Sequence, residues 1–153
     1  MSRIIAHRPN RRRYRRAMHT LSQIEAAIRA SWSLDTAEED DGWTTENPSR
    51  GQCDVTSLVV HDIFGGDILA AGVFQDGERV ESHMWNRLPG GLELDLTRDQ
   101  FRNGEVIGEP SVRMRPERFE PEHPRYHRYQ AYLVLARRVE ERLATTARPG
   151  ETS

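Results

Sequence analysis

Apolar positions recur along the chain with two different periods. After Thr20, the residues Leu21, Ile24, Ile28 and Trp32 fall on one helical face, and Thr20 with Gln23 has the spacing of a capping box. Residues 54–64 predict a second helix, with Val55, Leu58, Val59 and Ile63 at helical spacing and Gly65-Gly66 as its stop. Between the two lie an acidic turn at 38–42 and a loop at 43–51, punctuated by Asn47-Pro48 and Gly51. The period then drops to two. Strands are expected at 68–74, 79–86 and 92–97, joined by turns at 75–78 and 88–91, which makes an antiparallel meander. Thr97 and Gln100 predict a cap for a short helix, and Val106-Ile107 an edge strand in a stretch rich in Gly, Pro and charge. A last helix over 124–143 offers Tyr126, Tyr129, Leu133, Ala136 and Leu143 for packing. The fold class expected is therefore α+β, an antiparallel sheet packed against a Cys-bearing helix and the terminal helices.

Charge divides the chain more sharply than hydropathy does. Residues 1–16 carry seven Arg and no acid, whereas residues 17–153 hold 15 Arg against 24 acids, a net of −9. We read 1–17 as a disordered arginine-rich extension, 18–145 as one domain and 146–153 as a disordered tail. The extension has the composition of a phosphate-binding arm, or of a plain solvated one, or of an over-extended start ahead of Met18. Nucleic acid is not the expected partner, because the acidic remainder repels it. With no apolar run of signal or spanning length, no membrane association is expected and a cytoplasmic location is. The oligomeric state is not legible.

Composition also removes chemistry. All 22 basic residues are Arg, so Schiff-base and pyridoxal chemistry and a Gly-Lys-Ser/Thr phosphate loop are excluded. A single cysteine excludes an internal disulfide, a multi-thiolate zinc finger and an iron-sulfur cluster. No cofactor or metal is expected. Cys53 itself falls in the first turn of the second helix, where unpaired N–H groups and the dipole favour thiolate.

A nucleophilic thiol needs a base, and histidine serves near neutral pH. His7 and His19 belong to the arm and the first cap, and His123 and His127 begin the last helix. His61 lies eight residues along the same helix as Cys53, about 12 Å away at the helical rise. His83 remains, on the second strand, with Asp95 on the third to orient its ring. Side-chain alternation puts His83 and Asp95 on one face only if the intervening hairpin has an odd loop, of three or five residues; an even loop separates them.

Gly51-Gln52-Cys53 opening a helix, a strand with His83-x-Trp85-Asn86, a Gly turn and a strand with Leu94-Asp95-Leu96-Thr97 together resemble the transglutaminase-like branch of the papain-like cysteine enzymes. A closer resemblance is to the small bacterial YunG-like family, whose function is uncharacterised. It runs through Trp43-x3-Asn47-Pro48-x2-Gly51-Gln52-Cys53-x2-Thr56, Gly65-Gly66-x-Ile68, His83-x-Trp85-Asn86 and Asp95-Leu96-Thr97-x2-Gln100-Phe101, and takes in Ala30-Ser31-Trp32-Ser33 and Arg128-Tyr129. The broader resemblance implies a Cys53-His83-Asp95 triad performing acyl transfer on a peptide or small amide, with the Cys53 N–H and the Gln52 side chain steadying the oxyanion. The chain is much shorter than animal transglutaminases and carries no separate substrate domain or calcium loop.

Each residue has a plainer reading beside this one. Cys53 is also readable as a small buried hydrophobe, His83 as a sheet histidine bonded to backbone and Asp95 as a solvated hairpin residue. Trp85, Trp43 and Trp32 are candidates to line a substrate cleft, with aromatic packing around the Cys53 helix as the alternative. Asn47 and Asn86 are readable as turn residues. Zinc on Cys53, His83 and Asp95 is a further alternative, without the paired ligand spacing such sites use. The functional expectation is a thiol-dependent amide hydrolase or acyltransferase; a non-catalytic binding module keeping the same fold is its competitor.

Overall fold

The computed structural model describes residues 19–115 and 119–146, so the arginine-rich extension and most of the expected tail lie outside the described residues. The first helix, α1 (Leu21–Ser31), begins at the expected capping box: Thr20 Oγ1 accepts from the Gln23 N–H and Gln23 Oε1 from the Thr20 N–H. The second helix, α2 (Cys53–Phe64), includes Cys53 as its first residue. Its end at Gly65, with φ of 74°, returns the Gly65 N–H to the His61 carbonyl.

The sheet contains β1 (Asp67–Gln75), β2 (Glu78–Arg87), β3 (Glu93–Leu94), β4 (Val106–Ile107) and β5 (Ser111–Arg113), and α3 (Tyr126–Thr145) is the last described element. β1, β2 and β3 form the expected meander, in the order β3-β2-β1-β4, and β5 also pairs with β1. All pairings are antiparallel. β5 was not expected: its three residues are all exposed, so no apolar alternation marks them.

β3 is shorter than the 92–97 expected, and the reason is tertiary. The Leu96 carbonyl accepts from Arg29 of α1 instead of from β2, and Arg29 also holds Asp99. Side-chain alternation nevertheless continues past the ladder, with Leu94 and Leu96 packed into the helical core and Asp95 on the opposite face. That core joins Ile24 and Ile28 of α1, Val55, Val59 and Ile63 of α2, and Leu135, Ala136 and Val139 of α3. A smaller cluster of Leu69, Ala71 and Trp85, with Ile107 against it, occupies the other face of the sheet. Among the described residues the fold is thus α+β, an open antiparallel sheet with three α-helices. No helix among the described residues is long and apolar enough to cross a membrane.

Candidate functional site

The β2–β3 hairpin fixes the site. Arg87 pairs with Glu93 and Asn86 with Leu94, leaving 88–92 between them, an odd loop closed by the Leu88 N–H on the Leu92 carbonyl. Parity then puts His83, Trp85, Glu93 and Asp95 on one face. His83 Nε2 meets Asp95 Oδ2 at 2.7 Å. A carboxylate acceptor at Nε2 assigns the ring proton there, leaving Nδ1 as the basic nitrogen. Nδ1 has no hydrogen-bond partner, although His83 is 0% exposed. Trp85 stacks on the imidazole and Phe101 meets it edge-on. Trp85 thus holds the ring in place; its own N–H donates to Glu93.

Cys53 arrives from the other direction. α2 packs on the opposite face of the sheet, where Asn86 Nδ2 donates to the Ser57 carbonyl. β3 covers β2 only at Asn86 and Arg87, and beyond that cover the Met84 backbone N–H lies near enough to the Cys53 sulfur to favour its thiolate. The sulfur therefore sits one residue along the strand from His83, without a hydrogen bond to its Nδ1. Burial pushes the Cys53 thiol up to about 12, the carboxylates of Asp54, Asp41 and Asp95 add to the rise, and the Met84 N–H offsets part of it. This corrects the expectation drawn from the helix start: desolvation and three acids outweigh the dipole, and the resting residue is a neutral thiol.

The loop before Cys53 is braced by residues that single-residue patterns do not mark. Gln100, the last residue of the 3-10 turn Arg98–Gln100, accepts from the Gly51 N–H and donates to Thr97, while its carbonyl accepts from Asn47 Nδ2. Asn47 is therefore a tie between the Cys53 loop and the Asp95 segment. Gly51 has φ of +75°, and a Cβ there would come within 2.9 Å of the Glu38 backbone nitrogen. Arg128 of α3, 5% exposed, bonds both Asp54 oxygens at 2.8 Å and the carbonyls of Thr36 and Ala37. Arg98 donates to the same Asp95 oxygen that His83 uses. The signal that could have found these was the family-like pattern at Gln100 and Arg128, which spacing alone gives no role.

Gln52 is fully enclosed, with Nε2 donating to the Ser33 carbonyl and Oε1 unpartnered, so one amide N–H is already engaged. Trp43 donates to the Pro48 carbonyl and staples its own loop. Trp32 donates to Thr56 on α2, as packing around that helix requires. His61 belongs to a separate network with Arg115, Asp62 and Tyr132. Among the described residues no group of three or more His, Cys, Asp or Glu side chains is arranged to hold a metal ion.

The sheet, the helix-borne thiol and the His-Asp pair define an α+β protein with a polar centre beside β2. The model of the YunG protein family matches residues 20–144, and the chain belongs to that family. It is similar to the uncharacterized protein YunG of Bacillus subtilis (strain 168), at 34% identity over 82 residues, a match covering 54% of this chain and 64% of the relative. The matched part thus spans just under two thirds of that relative's length. No solved structure matches.

Proposed function

We propose that the protein is a thiol-dependent amide hydrolase or acyltransferase with a papain-like or transglutaminase-like core, acting on a peptide or small amide through Cys53, His83 and Asp95. The observation that carries the reading is the enclosed His83, held at Nε2 by Asp95 and left basic at Nδ1, one residue from the strand position that meets the Cys53 sulfur. In this mechanism Nδ1 takes the thiol proton as Sγ adds to the carbonyl carbon, the C=O pair moving to oxygen. The Cys53 N–H and the remaining amide N–H of Gln52 steady that oxyanion. Collapse breaks the C–N bond, the amine leaves with the proton from His83, and a thioester remains on Cys53. Water, or a second amine in transfer, gives its proton to His83 and adds to the thioester. The C–S bond breaks and the sulfur recovers the proton.

A second reading rests on the same enclosure. His83 is covered by Trp85 and Phe101, and a thiol so far from ionising suits a module that keeps the fold and binds without reacting. p-Nitrophenyl acetate separates the two. The enzyme reading expects acetyl-Cys53 by mass spectrometry with continued turnover, abolished in Cys53→Ala and lowered about 10²- to 10⁴-fold in His83→Ala. Acetylation at the rate of a free thiol, unchanged by His83→Ala, is the result expected of the binding module.

A further inference from the structure

β2 has more edge than β3 covers. The Leu88 N–H donates to the Leu92 carbonyl, so the backbone groups of Leu88 face β3, and the alternation of an antiparallel ladder gives the same direction to Asn86, Met84 and Ser82. Asn86 meets Leu94, and the Met84 N–H has the Cys53 sulfur near it. Ser82 comes next. It is exposed, and among the described residues its N–H and carbonyl have no hydrogen-bond partner on that side. Beyond it the ladder is irregular: Val73 pairs with Glu81 and Phe74 with Arg79, which leaves Val80 as an extra residue where the strand twists. The free edge is therefore short, bounded by a bulge on one side and by the thiol on the other. Cys53 is half-buried, unlike the fully enclosed His83.

An N–H and a C=O side by side on an open strand edge are matched by the C=O and N–H of another extended backbone. A second copy of this chain would need a longer run, since specific protein interfaces bury on the order of 1,000 Å² or more. A short substrate strand does not. We infer that the site takes an extended polypeptide, one residue of which pairs through its backbone with Ser82 while the reacting amide lies at Cys53. Ser82 and Met84 are two residues apart, about 7 Å along the strand, so the paired residue and the reacting one are near neighbours in the substrate. The inference rests on the reading of Cys53 as the reacting atom and narrows its substrate class, because a small amide has no backbone to pair. Recognition at Ser82 is then of main chain, with little preference for the side chain it carries.

Chloroacetyl probes test this by their rates of alkylating Cys53, each divided by its rate with N-acetylcysteine. The first is a seven-residue peptide of Ser and Thr with a chloroacetylated diaminopropionyl residue at its centre, so that backbone extends both ways from the electrophile. The second, N-methylchloroacetamide, has the same electrophile and no peptide. The peptide should react about tenfold faster, the order expected of two exposed backbone hydrogen bonds. Methylating alternate backbone nitrogens should then split the probe by parity. The set whose N–H groups face Ser82 loses the gain, and the set whose N–H groups point away keeps it. Ser82→Pro removes the outward donor while the β1 ladder keeps its own, and should bring the peptide's rate down to that of the small amide. No gain over the small amide, an equal effect of both methylated sets on the wild-type protein, or a full gain in Ser82→Pro overturns the inference. So does a dimer that Ser82→Pro dissociates, because the edge then serves a second copy. The catalytic reading fails separately, when the peptide gain and its parity persist but p-nitrophenyl acetate is not turned over.

Discussion

A thiol at the first residue of a helix is pulled two ways: aligned N–H groups favour the anion, and loss of water favours the neutral form. At Cys53 the second wins, and Asp54, Asp41 and Asp95 widen the margin. A consequence for stability follows. The unfolded chain releases the cysteine proton near the ordinary value of 9.0, whereas the folded chain holds it to about 12, so the folded state binds more protons as pH rises and stability falls. Tyr132, pushed up to about 12 by burial and by Asp62, acts in the same direction above pH 10. Urea titrations from pH 8 to 10.5 should show unfolding free energy declining, with Cys53 contributing roughly 1 to 2 kcal/mol and Cys53→Ala flattening that share. Arg128 gives the opposite kind of prediction. Its side chain is buried and donates to Asp54 and to the adjacent Thr36 and Ala37 carbonyls, and Arg128→Ala takes the bidentate partner from the Asp54 carboxylate beside Cys53. A loss of about 3 to 5 kcal/mol, read by denaturant midpoint, is expected.

Among the elements, the β2–β3 hairpin decides the site and α2 delivers the thiol to it. Alternation left the hairpin loop open between odd and even; the pairing of Arg87 with Glu93 makes it odd, with Leu94 and Leu96 facing the core and Asp95 facing away. The length of β3 was not legible. Its ladder ends because Arg29, distant in sequence, takes the Leu96 carbonyl. β5 was invisible for a related reason: an exposed edge strand buries neither face, so its residues carry no period. The junction of α2 with β1 is the least forgiving backbone in the domain. Gly66 has φ of +78°, and a Cβ there would stand 2.3 Å from the Arg87 carbonyl oxygen and 3.1 Å from the Pro89 ring. Gly66→Ala should cost about 3 kcal/mol or more, seen as a lowered thermal midpoint with the hairpin resonances shifted most, because both partners are structural and cannot yield.

At the scale of the whole molecule, three helices share one core while the polar centre lies where the sheet, the Cys53 loop and the 97–101 segment meet. Helix starts, the Cys53 position and the strand periods follow from local patterns, capping chemistry and a 3.6 or 2.0 repeat, each readable within about ten residues, whereas the shared face of His83 and Asp95 is decided by the odd hairpin loop. The ionisation of Cys53, the grip of Arg128 on Asp54 and the clamp of Gln100 on Gly51 depend on segments far apart in the chain. Burial and charge pairing are sums over neighbours in space, and only the tertiary structure determines who those neighbours are. The sequence by itself therefore determined which atoms are available for chemistry, and the fold decided that the thiol rests protonated in a negative field.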